Sequence, residues 1–147
     1  MPDFEHDGRR LFFDDRGQGA PLLLIHGLFM DHSIFDPQRE TLARSHRLIT
    51  PDLRGHGRSE HSSEERTLWD VMEDQVALLD KLGIEQAIWG GHSVAGPISL
   101  RAALRHPDRV AGLILISTQA GPEHPERFPA YERFAEMVAS GGWTDEA

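Results

Sequence analysis

The unbroken apolar run Leu22-Leu23-Leu24-Ile25, closed by His26-Gly27, predicts a strand covered on both faces. A second strand is predicted over residues 47–50, where Pro51 stops it. From Thr67 onward the pattern changes period. Leu68, Val71, Met72, Val76, Leu79 and Leu82 recur at three- and four-residue intervals, which lines one face of a helix, and Gly83 supplies the stop. Ala87-Ile88-Trp89 opens another strand and runs through Gly90-Gly91-His92 into Ser93. A helix follows from Val94 to Arg105. Its Pro97 falls in the first turn, where the backbone N–H has no intrahelical partner to lose. Residues 110–116 (Val-Ala-Gly-Leu-Ile-Leu-Ile) predict a further buried strand. After Gly121 come Pro122, Pro125 and Pro129, and then Phe128, Tyr131, Phe134, Ala135 and Val138 share one helical face. Strands alternating with helices give an α/β fold class, a mostly parallel sheet with helices on both faces.

In such a sheet, chemistry gathers at the carboxyl ends of the strands. Three segments fall there: His26-Gly27-Leu28-Phe29, residues 52–59 (Asp-Leu-Arg-Gly-His-Gly-Arg-Ser) and Gly91-His92-Ser93. The last is the most informative. A serine on a sharp strand-to-helix turn needs small residues two positions to either side, and Gly91 and Ala95 meet that need. The turn exposes the Ser93 hydroxyl and sets the Val94 N–H at the positive end of a helix, both suited to attack on a carbonyl.

Composition narrows the partners. Of 147 residues, 39% are hydrophobic and 27% charged, as in ordinary globular domains, and the length allows one domain with a real core. A net charge of -9 argues against nucleic acid and anionic membrane as partners and favours a small organic substrate. With no cysteine there is neither a disulfide nor a thiolate nucleophile. The start, Met-Pro-Asp-Phe-Glu-His-Asp, lacks the basic and apolar stretches of a leader, and no run is long enough to span a membrane, so a cytoplasmic location is expected. Nine histidines contain no His-Glu-x-x-His and no spacing that gathers three ligands, so no metal is expected. No cofactor is expected either: Gly55-His56-Gly57 begins like a dinucleotide fingerprint, but the third glycine is absent and residues 60–65 delay any helix. Asp52 and Arg54 are read as residues that hold a turn through an ion pair or hydrogen bond.

Taken together, these motifs resemble the N-terminal part of the α/β-hydrolases, the broad class of esterases, enol-lactonases, proline iminopeptidases and cofactor-free haloperoxidases. The likeness runs from residue 8 to about 120. Asp7-Gly8 with residues 11–14 resembles the opening hairpin, residues 22–27 the third strand and its His-Gly loop, and residues 52–59 the arginine-glycine loop. The resemblance implies Ser93 as catalytic nucleophile and the N–H groups of Leu28 and Val94 as oxyanion hole, with Phe29 a substitute for Leu28. It places Phe29, His26 and His92 at the substrate, and gives His26 and His92 scaffold tasks as well. It also divides the chain into residues 1–120, hydrolase core, and residues 121–147, the start of a helical cap.

The family orders its triad Ser, Asp, His along the chain, and the latter two have no match here. Asp80, Asp108 and His106 fall on helices or their ends, His124 opens the cap segment, and the positions after the sixth strand read Ser117-Thr118-Gln119. The expectation is therefore a core truncated after about the sixth strand. It carries the nucleophile of a serine hydrolase for a small carboxylic ester or lactone, with the acid and histidine on another chain, cleaved away, or absent. A non-catalytic half-module that binds a small molecule or assembles with a partner is the alternative. Serine at position 93 disfavours dehalogenase and epoxide-hydrolase chemistry, which uses a carboxylate nucleophile. The strand at 110–116, interior in the family, would have an open edge here. Self-association through it or through the cap helix, or pairing with a complementary C-terminal fragment, is expected. The aromatic stripe of that helix fits a substrate entrance and an association surface equally.

Overall fold

The computed structural model describes residues 3–61, 64–121 and 124–140, with backbone alone at 138 and 139. Six strands form one sheet in the order β1-β2-β4-β3-β5-β6: β1 (Asp3–His6), β2 (Arg9–Arg16), β3 (Ala20–Ile25), β4 (His46–Pro51), β5 (Ala87–His92) and β6 (Val110–Ile116). β1, β2 and β4 pair antiparallel, and β4, β3, β5 and β6 run parallel. The β1–β2 hairpin turns on Asp7 and Gly8, at φ 53° and 70°. A two-residue Asp-Gly turn with both φ positive matches the twist of its flanking strands.

Side chains on the parallel strands divide by parity. Leu23, Ile25, Ile49, Ala87 and Trp89 pack with α2 (Leu68–Lys81) and α3 (Ala95–Arg105). Leu22, Leu24, Leu48 and Ile88 pack on the opposite face with Ile34, Phe35 and Leu42, contributed by a short 3-10 turn and α1 (Asp36–Leu42). The sheet is thus covered on both faces, as the unbroken apolar run in β3 predicts. Helix α1 leaves no trace in the hydrophobic pattern because it has no buried residue of its own, and its anchor, Phe35, precedes it.

Helix α2 is closed at both ends by its own sequence. Thr67 and Asp70 form a reciprocal capping box, and Gly83, at φ 66°, ends it. The Gly83 N–H donates to Asp80 O and the Ile84 N–H to Leu79 O, the paired bonds of a Schellman stop.

One expectation fails. The strand predicted buried, β6, is half-exposed: Leu113, Ile114, Leu115 and Ile116 keep 38%, 40%, 44% and 39% of their surface. Consecutive strand residues point to opposite faces, so both faces are open there. The cause is position, because among the described residues β6 ends the sheet and α3 is the helix packed most closely against it. An apolar run reports the environment a strand is suited to, not whether that environment is present. The expected later helix is α4 (Phe128–Ala139). Of the segment assigned to a cap, residues 122–123 and 141–147 and the Val138 side chain lie outside the described residues.

Candidate active site

Strand β5 ends at His92 and α3 begins at Ala95, so the chain reverses within two residues. Ser93 takes the reversal at φ 55°, a left-handed conformation that costs a residue with a Cβ about 1–2 kcal/mol. The turn is tight enough that a Cβ on Gly91 would run into the Ala95 backbone, which accounts for the small residues on either side. Neighbours hold it in place. The Ser93 N–H donates to Ile116 O at 3.0 Å, while its carbonyl accepts from Gly96 N at 3.0 Å and from Thr118 Oγ1 at 2.7 Å. Ser93 itself is exposed, and its hydroxyl has no hydrogen bond among the described residues.

Ile25 pairs with Gly91 across β3 and β5, so the loop after β3 leaves the sheet beside the elbow. His26 ties that loop down. It is fully buried; its Nδ1 bonds Gly27 O at 2.7 Å and its Nε2 accepts the Leu53 N–H at 2.9 Å. Those partners require a neutral ring protonated on Nδ1, and burial pushes its pKa below the ordinary value. His26 has no ring atom left for a substrate, which corrects its placement there and leaves it the scaffold task. His92 is part-buried, with its ring edge against Gly27 and its Nδ1 buried without a partner. Leu28 and Phe29 are 49% and 56% exposed, and Phe29 stands at φ 62°. The Phe29 ring meets Phe134 of α4 edge-on, 4.8 Å between centroids. The N–H groups of Leu28, Phe29 and Val94 carry no backbone hydrogen bond among the described residues.

The third segment is consumed by its own loop. Asp52, 1% exposed, accepts the His32 N–H (2.7 Å) and pairs with His32 Nδ1 (2.8 Å) through Oδ1. Its Oδ2 accepts the Arg58 N–H (2.8 Å). Ser59 Oγ donates to Asp52 O and accepts the Phe12 N–H, stitching the loop to β2. Arg54 does not pair with Asp52. It makes a two-pronged ion pair with buried Asp74 of α2, which also takes His6 at 2.7 Å and holds the guanidinium pKa above its usual range. The turn-holding reading fits Asp52, which bonds Arg58 and Ser59 within its own loop and His32 outside it, whereas the partner of Arg54, Asp74, lies 20 residues away. Folding also gathers Asp31, His32 and Asp52, with one ligand atom of each within 4.8 Å, a trio the sequence spacing conceals. Several of their atoms are engaged within the fold: Asp31 Oδ1 accepts the Ser33 N–H, which lowers the Asp31 pKa, and both carboxylate oxygens of Asp52 are bonded as above.

Between these loops lies an open cleft of about 1010 Å³. Leu28, Phe29, Met30, Ile34 and Val71 give it an apolar side, and His56 and His61 a polar one. Ser93 is not part of its wall, so the cleft adjoins the elbow's neighbouring loop rather than the hydroxyl.

The family model described as "alpha/beta hydrolase fold" matches residues 20–141. The chain belongs to the α/β-hydrolase family. It is similar to 2-hydroxymuconate semialdehyde hydrolase of Pseudomonas sp. (strain CF600), at 39% identity over 125 residues, which cover 80% of this chain and 43% of that protein. Among solved structures it is similar to a thermophilic esterase from Thermogutta terrifontis (36% identity, TM-score 0.83, 94% of this chain and 52% of that one). It is also similar to the enol-lactonase from Burkholderia xenovorans LB400 (28%, TM-score 0.80, 94% and 58%). The chain therefore spans about half the length of the α/β-hydrolases it matches. No helix among its described residues is long and apolar enough to cross a membrane. Asp74, Ser59 and Thr118 escaped the sequence reading as supports of the site. Asp74 in particular is one polar residue on an amphipathic helix, and nothing local marks it as buried.

Proposed function

We propose that this chain carries the nucleophile and oxyanion-binding half of a serine hydrolase for small carboxylic esters or lactones. Ser93 Oγ attacks the carbonyl carbon as its proton passes to the general base; the C–O bond to the alcohol then breaks, the departing alkoxide takes up that proton, and water hydrolyses the acyl-serine that remains. The N–H groups of Val94 and Leu28 receive the negative charge that develops on the carbonyl oxygen, with Phe29 the alternative donor to Leu28. Phe29 and the part-exposed ring of His92 border the substrate, and α4 opens a cap over it. The observation that carries the reading is the left-handed Ser93 just before α3, exposed and with its hydroxyl unbonded among the described residues. Backbone strain at a residue with a side chain persists where its surroundings over-determine it, and such residues cluster at functional sites. The hydrolase, esterase and lactonase relatives supply the chemical class.

No histidine among the described residues bonds the Ser93 hydroxyl, so the reading takes the general base and its acid from outside these residues. That same feature favours the second reading, a non-catalytic module that binds a small molecule. Hydrolysis of p-nitrophenyl acetate separates them. The expected result is a slow rate for the chain alone that disappears in Ser93→Ala, because p-nitrophenyl acetate carries a good leaving group and can acylate an exposed serine hydroxyl that has little help from a base. A rate unchanged by Ser93→Ala, or none at all even with a complementary polypeptide, supports the module instead.

A further inference from the structure

We infer that Thr118 is a positioning residue for the oxyanion hole, acting through the peptide plane between Ser93 and Val94; the inference rests on the role proposed for Ser93. That peptide unit is rigid, with its C=O and N–H pointing in opposite directions. Whatever fixes the Ser93 carbonyl therefore aims the Val94 N–H. Thr118 Oγ1 donates to this carbonyl at 2.7 Å. The Gly96 N–H holds the same oxygen from within the elbow, at 3.0 Å, but it belongs to the first turn of the helix it would have to steady. Thr118 comes from a different element, just after β6.

Two further features converge on this contact. Ser117 sits at φ 47°, a left-handed kink at the end of β6 immediately before Thr118. Gly96 leaves the space in which the threonine lies, since a Cβ there would collide with Thr118 Oγ1, Cγ2 and Cβ. On the other side of the elbow, the Ser93 N–H bonds Ile116 O. Ile116 and Thr118, on either side of the kinked Ser117, thus hold both backbone polar groups of the strained serine, and the Val94 N–H is left without a backbone partner among the described residues. A donor bond to the carbonyl also polarises the N–H at the far end of the same amide, which strengthens it toward an oxyanion.

The test compares Thr118→Val, which keeps the shape and loses the donor, with Thr118→Ser, which keeps the donor. Ser93 is titrated in each with diethyl p-nitrophenyl phosphate, and the Val94 amide is followed by ¹H–¹⁵N NMR. Expected for Thr118→Val are an inactivation rate constant about tenfold lower at unchanged apparent KI, a shifted Val94 amide, and an unchanged urea midpoint. Thr118→Ser restores both rate and resonance. The tenfold figure is a fraction of the roughly 10²–10³-fold that follows outright removal of an oxyanion donor. An unmoved rate and Val94 resonance in Thr118→Val overturn the inference, as does a Thr118→Ser variant no better than Thr118→Val. If phosphorylation of wild type does not depend on Ser93, the functional reading falls, and the Val94 resonance alone decides whether Thr118 orients the plane.

Discussion

Two loops at the same end of the sheet, residues 52–59 after β4 and the elbow after β5, spend their polar groups in opposite ways. In the first, every carboxylate oxygen of Asp52 and the Ser59 hydroxyl are buried and engaged within the fold. In the second, the backbone groups of Ser93 are held on both sides while its side chain is exposed and its hydroxyl has no partner among the described residues. Saturated polar groups make a scaffold, because a buried donor or acceptor already bonded has nothing to offer a ligand. A side chain held in a strained backbone and left unbonded has something to offer. Motif strength does not separate the two loops, since both are rich in glycine, histidine and serine; the fate of each polar atom does.

The largest effect expected from breaking this contrast lies in the scaffold. Asp52→Ala empties the buried carboxylate site and leaves the part-buried N–H groups of His32 and Arg58 without their acceptor, at a cost of about 1–2 kcal/mol for each bond to the lost charge. Urea unfolding should show a loss near 3 kcal/mol in total, enough to unfold much of a marginal domain. A loss below about 1 kcal/mol would mean that water takes the place of the carboxylate and that the loop is not self-contained.

A smaller signature of the scaffold is pH dependence through His26. Its folded pKa lies below the unfolded value near 6.5, because burial disfavours the charged ring. Above pH 6.5 both states are neutral there and the group has no effect on stability. As pH falls below 6.5, the unfolded chain takes up the proton first, so stability drops, by at most about 1.4 kcal/mol per pH unit. The carboxylates of Asp31 and Glu73 act in a lower window. Their folded pKa values are depressed, for Asp31 by the Ser33 bonds and for Glu73 by His106 and Arg105 against an opposing burial effect. Their contribution is lost only as pH falls below about 4. Denaturant titrations from pH 8 to 5 on wild type and His26→Gln isolate the upper window, which the variant should lack.

In the elbow the sign reverses. Ser93→Gly removes the Cβ that makes φ 55° costly, so it should raise stability by about 1 kcal/mol while abolishing any hydrolysis that depends on the serine. The paired readout, urea midpoint against ester hydrolysis, is what matters. A variant that loses stability would show that the hydroxyl is needed for the fold and would place Ser93 with Asp52.

How much of this was legible from the chain alone follows the same division. The parallel strands, α2, α3 and the elbow are written in short-range patterns: parity in β3, three- and four-residue spacing in α2, and small residues flanking Ser93. The supports of the site are not, because Asp52–His32, Arg54–Asp74 and Ser93–Thr118 join residues about 20 or more positions apart. A polar residue's sequence neighbours do not reveal whether it will be buried, so His26 was read as both ligand contact and scaffold when only the second is open to it. The exposure of β6 was hidden for a related reason: its apolar sequence describes a covering that the described residues do not supply.

That exposure gives the mildest prediction, one on association rather than stability. Strand β6 presents an unpaired edge among the described residues and carries neither a charge nor a proline over Val110–Ile116, the devices by which edges ordinarily avoid one another. A second copy of the same strand, antiparallel across a two-fold axis, would set apolar residues opposite apolar residues throughout and continue the sheet. Sedimentation velocity should therefore show a weight-average mass that climbs above 16.5 kDa with concentration. Leu115→Lys, at the most exposed of the large β6 side chains, should hold the chain at monomer mass while changing the unfolding free energy by less than about 0.5 kcal/mol. A wild-type chain that stays monomeric at every concentration would sink the edge pairing and leave the elbow and its scaffold untouched, because neither relies on a partner for β6.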